Sequence, residues 1–102
     1  MQETIIKTQT SPNENKKYLT YVKHTIAGKV RKLHFGSHEY PQYKDVTKLK
    51  IYSKWDHLDR KRRRNYYMRH SGVLIKTEAL KNEIKQSKGL YTAKTLSHKF
   101  LW

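Results

Sequence analysis

The chain has 102 residues, of which 23 are Lys or Arg and 8 are Asp or Glu, giving a formal charge of +15. That length accommodates one small domain, and the absence of cysteine excludes disulfide scaffolds, thiolate zinc sites and thiol catalysis. Apolar runs such as Val73-Leu74-Ile75 are far too short for a membrane span, and Met1–Ile6 lacks the apolar region of a secretory signal, so the expectation is an intracellular protein with a polyanionic partner.

Leu, Ile, Val and Phe together supply 21 of the 102 residues, close to the roughly 20% level at which highly charged chains stay disordered. Eight Tyr and two Trp raise the aromatic share to 12%, enough for a small aromatic-rich core that leans on a partner. Residues 1–15 carry a net charge of −1, and Gln9–Asn15 is polar with a proline. This segment reads as a flexible tail, leaving 16–102 as one small basic domain.

Tyr18-Leu19-Thr20-Tyr21-Val22 and the run through Val30, Leu33 and Phe35 read as a β-hairpin closing near Gly28. Glu39–Asp45 reads as a loop, with Tyr40 and Tyr43 pinning it back onto the hairpin. Val46, Leu49 and Ile51 fit either a short third strand or an irregular docking segment, which places a hairpin or three-stranded sheet at about 17–52. Ser53-Lys54-Trp55-Asp56 resembles a helix-capping signal and predicts a helix over about 54–70 that stops at Ser71-Gly72. Asp56 and Arg60, and Asp59 and Arg63, fall at the i,i+4 spacing of helical ion pairs. A second helix over about 78–88 would be capped by Thr77 and ended by Gly89, and a third over about 93–101 by Thr92. The expected class is α+β.

The strongest local feature is Arg60-Lys61-Arg62-Arg63-Arg64, five consecutive bases inside a predicted helix. Helical spacing spreads them around the cylinder, and with Arg69 and Tyr67 they form the main candidate surface for phosphates or acidic protein. Tyr66 shares a face with Trp55 and Leu58 and is expected in the core, which leaves Tyr67 outward. Trp55 itself is expected to be a core or docking aromatic. A second basic set comprises Lys29, Arg31 and Lys32 on the hairpin, then Lys44, Lys48, Lys50 and Lys54. The sequence matches no recognition-helix or zinc-finger pattern. Among the six histidines only His34 and His38 stand at i,i+4, across Gly36, where no helix is expected, so no metal site is expected. Without a glycine-rich phosphate loop, nucleophile elbow or paired carboxylates, the reading is non-enzymatic, with no cofactor and no small-molecule substrate.

Three stretches carry a family resemblance. They are Lys32-Leu33-His34-Phe35-Gly36 with Tyr40 and Tyr43-Lys44-Asp45, the basic segment Asp59–His70, and Thr92–Trp102. In order and content, over about residues 18–102, the chain resembles the small basic proteins of nucleocytoplasmic large DNA viruses (mimivirus-, marseillevirus- and chlorovirus-like). These combine a hairpin ending in Phe-Gly, a basic helix ending in Arg-His, and a Thr-Ala-Gly…Leu-Ser-Arg-Trp…Leu-Trp ending. Lys94 departs from that pattern at the glycine, His98-Lys99 replace Arg-Trp, and residues 73–91 make a longer connection. The resemblance implies a protein built into or packaged in a virus particle, made in the host cytoplasm or nucleus. There it would be a minor capsid or internal virion protein contacting larger capsid proteins or genome phosphates. A genome-condensing or small ribosomal protein is the alternative; the slightly acidic tail speaks modestly against the ribosomal class.

Overall fold

In the computed structural model, which describes residues 1–102, three antiparallel strands precede three helices, an α+β arrangement. The strands are β1 (Glu3–Thr10), β2 (Lys16–His24) and β3 (Val30–Ser37), adjacent in that order. A turn of 3-10 helix at Ser53–Trp55 is followed by α1 (Arg60–Ser71), α2 (Lys76–Gln86) and α3 (Ala93–Phe100).

β2 and β3 form the expected hairpin around Gly28, whose positive φ suits the turn. Strand alternation puts Tyr18, Thr20 and Val22 on the inner face, with Tyr18 opposite Phe35 and Thr20 opposite Leu33. Tyr91, Leu96 and Leu101 cover that face and close the main core, with Phe100 packed at its margin. Gly36 lies where β3 passes under α3. Its φ is +81°, and a Cβ there would come within 2.8 Å of Leu101 Cδ1 and 3.2 Å of Lys17 Cβ. A smaller cluster of Tyr66, Tyr67 and Ala79 joins α1 to α2, with Val73 and Trp102 packed against it.

Residues 1–15 do not form a free tail. Residues 3–10 pair with β2 as an edge strand, with a register shift between Ile5 and Lys7. Glu3 is buried and accepts two hydrogen bonds from Arg31, at 2.8 Å each, and a third from the Tyr91 backbone N–H. Arg31 also donates to the Tyr91 carbonyl. This clasp ties β1 and β3 to the start of α3, and because its anchor is a carboxylate, hydrophobic patterning gives no sign of it.

The third strand expected at 46–51 is not formed; β1 takes that place in the sheet, and residues 38–52 are irregular. The loop is held by buried polar groups. Lys17 Nζ donates to Gln42 Oε1 (2.7 Å) and to the Tyr40 carbonyl (2.8 Å). Gln42 Nε2 donates to Asp56 Oδ1, which also accepts from the Asp45 N–H. The Tyr18 hydroxyl donates to Asp45, whose carboxylate takes further bonds from Thr47 and from the Tyr52 N–H. Backbone bonds from Lys44 to Leu101 and from Val46 to Phe100 lash the loop to the end of α3.

The long helix begins at Arg60 rather than near residue 54. Its cap is Asp59, which accepts from the backbone N–H groups of Lys61 and Arg62. Asp56 is occupied by the loop network and Asp59 by the cap, and neither forms its expected ion pair with Arg60 or Arg63. Gly72 ends α1 in the left-handed conformation, as its position foretells. α2 starts at Lys76 with no side-chain cap, so Thr77 lies inside it. Thr92 caps α3 and completes a reciprocal capping box with Thr95. No helix is long and apolar enough to cross a membrane.

A candidate anion-binding groove

The sheet end carrying Lys16, Lys17 and Gly36, the Tyr40-Pro41 corner, one side of α1 and the start of α3 enclose a groove of about 780 Å³. α1 contributes Arg62, Asn65, Tyr66, Arg69 and His70, spaced as one helical stripe, and α3 contributes Ala93, Lys94 and Ser97. Phe35, Leu101 and Trp102 supply apolar floor. Five Lys or Arg side chains line the space and no Asp or Glu does.

The floor is rigid. Tyr66 stacks on Trp102 with ring centroids 4.2 Å apart and planes 4° from parallel, and His57 packs on Trp102 at 5.2 Å. Behind it, the Tyr66 hydroxyl bonds His98 Nδ1 (2.8 Å), while His98 Nε2 bonds Ser71 Oγ (2.7 Å), which in turn donates to Glu83. Because Ser71 donates to Glu83, Nε2 carries a proton, and in the neutral ring Nδ1 accepts from Tyr66. Burial, reinforced by the charges of His70, Lys94 and Lys76, brings the His98 pKa down to about 4. Burial also raises the Tyr66 hydroxyl well above the ordinary phenol range.

The groove cations differ in how far they are already engaged. Lys17 is buried, and desolvation lowers its pKa to about 8 against the opposing pull of Asp45 and Asp56. Lys94 lies 3.7 Å from Glu83 and donates to the His70 carbonyl. Lys16, Arg62 and Arg69 have no carboxylate within ion-pair distance, since only Arg31 and Lys94 in the whole chain do. Three unpaired cations around one concavity raise the local potential for an anion and face no internal competitor.

Of the basic residues singled out in the sequence, Arg62 and Arg69 reach this groove. Arg60, Lys61 and Arg64 are exposed elsewhere around α1. Arg63 is half-buried and structural: its Nε donates to the Trp102 carbonyl at 2.8 Å, and its guanidinium lies 4.7 Å from the centre of the Tyr43 ring. That contact binds Tyr43 to α1, whereas the Tyr40 carbonyl alone is tied to the hairpin, through Lys17. Arg31 is consumed by Glu3 and Tyr91. Lys29 is exposed in the hairpin turn, and Lys32 stands 5.7 Å from the Tyr21 ring. Lys48 and Lys50 belong to the irregular loop, and Lys54, in the 3-10 turn, lies over the Trp55 ring at 4.4 Å.

Tyr67, expected to be outward, is buried, and its hydroxyl donates to the His98 carbonyl. Both neighbours on α1 are covered because α2 packs on one side of the helix and α3 with Trp102 on the other. Trp55, expected as a core or docking aromatic, is about half exposed and lies outside the core. Lys16, Lys17, Asn65 and Lys94 escape a sequence reading because each joins the groove only through tertiary packing. Neither a family model nor a curated protein nor a solved structure matches the chain.

Proposed function

We propose that the protein is a non-enzymatic structural component of a large DNA virus particle that holds a phosphate-bearing polyanion in the groove. The observation that carries this reading is the groove itself, with five Lys or Arg side chains and no Asp or Glu on its walls. The particle setting follows from the family resemblance of residues 18–102. Arg62 and Arg69 present guanidinium groups suited to paired hydrogen bonds with phosphate oxygens, Lys16 and Lys94 add point charges, and Asn65 and Ser97 add neutral polar groups. With residues 3–10 paired in the sheet, the segment that spoke modestly against the ribosomal class is not a free extension. A capsid contact in the same particle fits the 46–55 loop, where Val46, Leu49, Ile51 and Trp55 are exposed among Lys48, Lys50 and Lys54.

The test is a comparison of two triple variants with equal charge loss. Lys16→Gln, Arg62→Gln and Arg69→Gln together should weaken binding of a fluorescent oligonucleotide by at least about tenfold at moderate salt. Arg60→Gln, Lys61→Gln and Arg64→Gln together should leave most of the affinity in place. In particles carrying the groove variant, the protein should dissociate at lower salt than wild type. Equal losses from the two triples would reduce the interaction to bulk charge and remove the groove from the account.

A further inference from the structure

We infer that the polyanion taken by the groove is single-stranded nucleic acid, with a base stacked on Tyr40; the inference rests on the polyanion reading above. Two independent observations support it.

The first is shape. The whole molecule measures 40 × 29 × 20 Å, and the cations line a concavity within it. A double helix presents a convex, rigid cylinder about as wide as this domain is thick, with a major groove alone of roughly 12 Å. Its backbone could touch only the rim, leaving the inner side chains out of reach. A flexible single strand can bend into the concavity and place successive phosphates against Arg62, Arg69 and Lys16. An electropositive channel that tracks the backbone beside aromatic platforms is the general solution for single strands.

The second is Tyr40. The chain has eight tyrosines, and seven of them pack against another ring or a cation within the protein. Tyr40 alone has neither a ring or cation neighbour nor a hydrogen bond to its hydroxyl, and it is 65% exposed at the lip of the groove. Its position is nonetheless fixed, because Lys17 Nζ donates to the Tyr40 carbonyl and Pro41 follows directly. An aromatic ring with an anchored backbone and an unoccupied face beside unpaired cations has the makings of a base-stacking platform. An acidic protein segment would match the charges and leave the ring unused.

The experiment compares four fluorescent probes at fixed salt: oligo-dT, the same strand with abasic sites, a duplex of equal length, and polyglutamate. The expected order places oligo-dT tightest. Tyr40→Ala should cost it about tenfold, Tyr40→Phe should restore most of that loss, and the abasic strand should respond to neither. Because Tyr40 is largely exposed and has no ring or cation partner in the fold, both variants should unfold close to the wild-type temperature. Equal or tighter binding of the duplex, or an equal Tyr40→Ala effect on the abasic strand, would overturn the single-strand inference while leaving a groove for polyanions. Preference for polyglutamate would assign the groove to acidic protein. Failure of every nucleic-acid probe to respond to the Lys16, Arg62 and Arg69 triple would remove the polyanion reading itself.

Discussion

Buried without a charge partner, the His98 ring accepts from Tyr66 and donates to Ser71 only while it is neutral. Its pKa of about 4 in the fold compares with 6.5 for an ordinary histidine. Between those values the unfolded chain binds the proton and the folded chain does not, so stability falls as pH drops from 6.5 towards 4. The difference between pH 7 and pH 5 is roughly 1–2 kcal/mol from this residue. Urea midpoints over that range should record it. His98→Gln should be less stable at neutral pH but lose less on acidification, keeping only the slope due to His57 and His70, whose pKa values burial also lowers. An unchanged slope in the variant would place the acid sensitivity elsewhere. At this scale the stop at Gly72 and the cap at Thr92 were legible, because each depends on one residue and its immediate backbone. The roles of Tyr66 and Tyr67 were not, because α1 is packed from two sides and has almost no single apolar face.

Among the elements, β1 shows how a polar sequence can belong to the core. Only Ile5 among its apolar residues packs on the main cluster, and the register shift after it breaks the alternation by which strands are recognised. What secures the strand is Glu3, whose pKa is lowered chiefly by hydrogen bonding to Arg31. Glu3→Gln should therefore cost about 1–3 kcal/mol, measured by chemical denaturation. Glu14→Gln, at an exposed position in the β1–β2 turn, should cost almost nothing. Similar values for both would make β1 a passive addition to the sheet. The loop after β3 was unreadable for the same reason: Lys17, Gln42, Asp45 and Asp56 order it, and none follows a hydrophobic period. The first turns of α1 go against electrostatic expectation, since Arg60–Arg64 crowd the positive end of the helix dipole with Asp59 as the only counterweight. Arg62 is retained there despite that cost, at the position where it faces the groove.

For the molecule as a whole, the question is how much of the +15 meets a ligand. Neutralising one phosphate of a single strand contributes about −0.7 to the slope of log affinity against log salt concentration. Four engaged groove cations give a slope of about −3, whereas engagement of the full net charge would give about −10. Titration of oligo-dT binding between low and moderate salt distinguishes the two, and a slope near the larger value would mean that the cations act as a diffuse cloud. The α+β class was legible in the pattern of elements. The groove was not, since its walls come from positions 16–17, 35–41, 62–70 and 93–102. The most conspicuous basic run in the sequence supplies only Arg62 to it.

The clasp between Glu3 and the backbone of Tyr91 joins residues 88 apart in sequence, and this has a consequence for the order of folding. During synthesis Glu3 emerges long before Tyr91 exists, and the hairpin waits with much of its inner face uncovered until α3 arrives. Such long-range closure slows folding, because loop entropy must be lost before the contacts that reward it are made. In that interval the nascent chain is strongly cationic and strand-rich. The basic residues at 16–17 and 62–69 are therefore on the chain before the groove that gathers them exists.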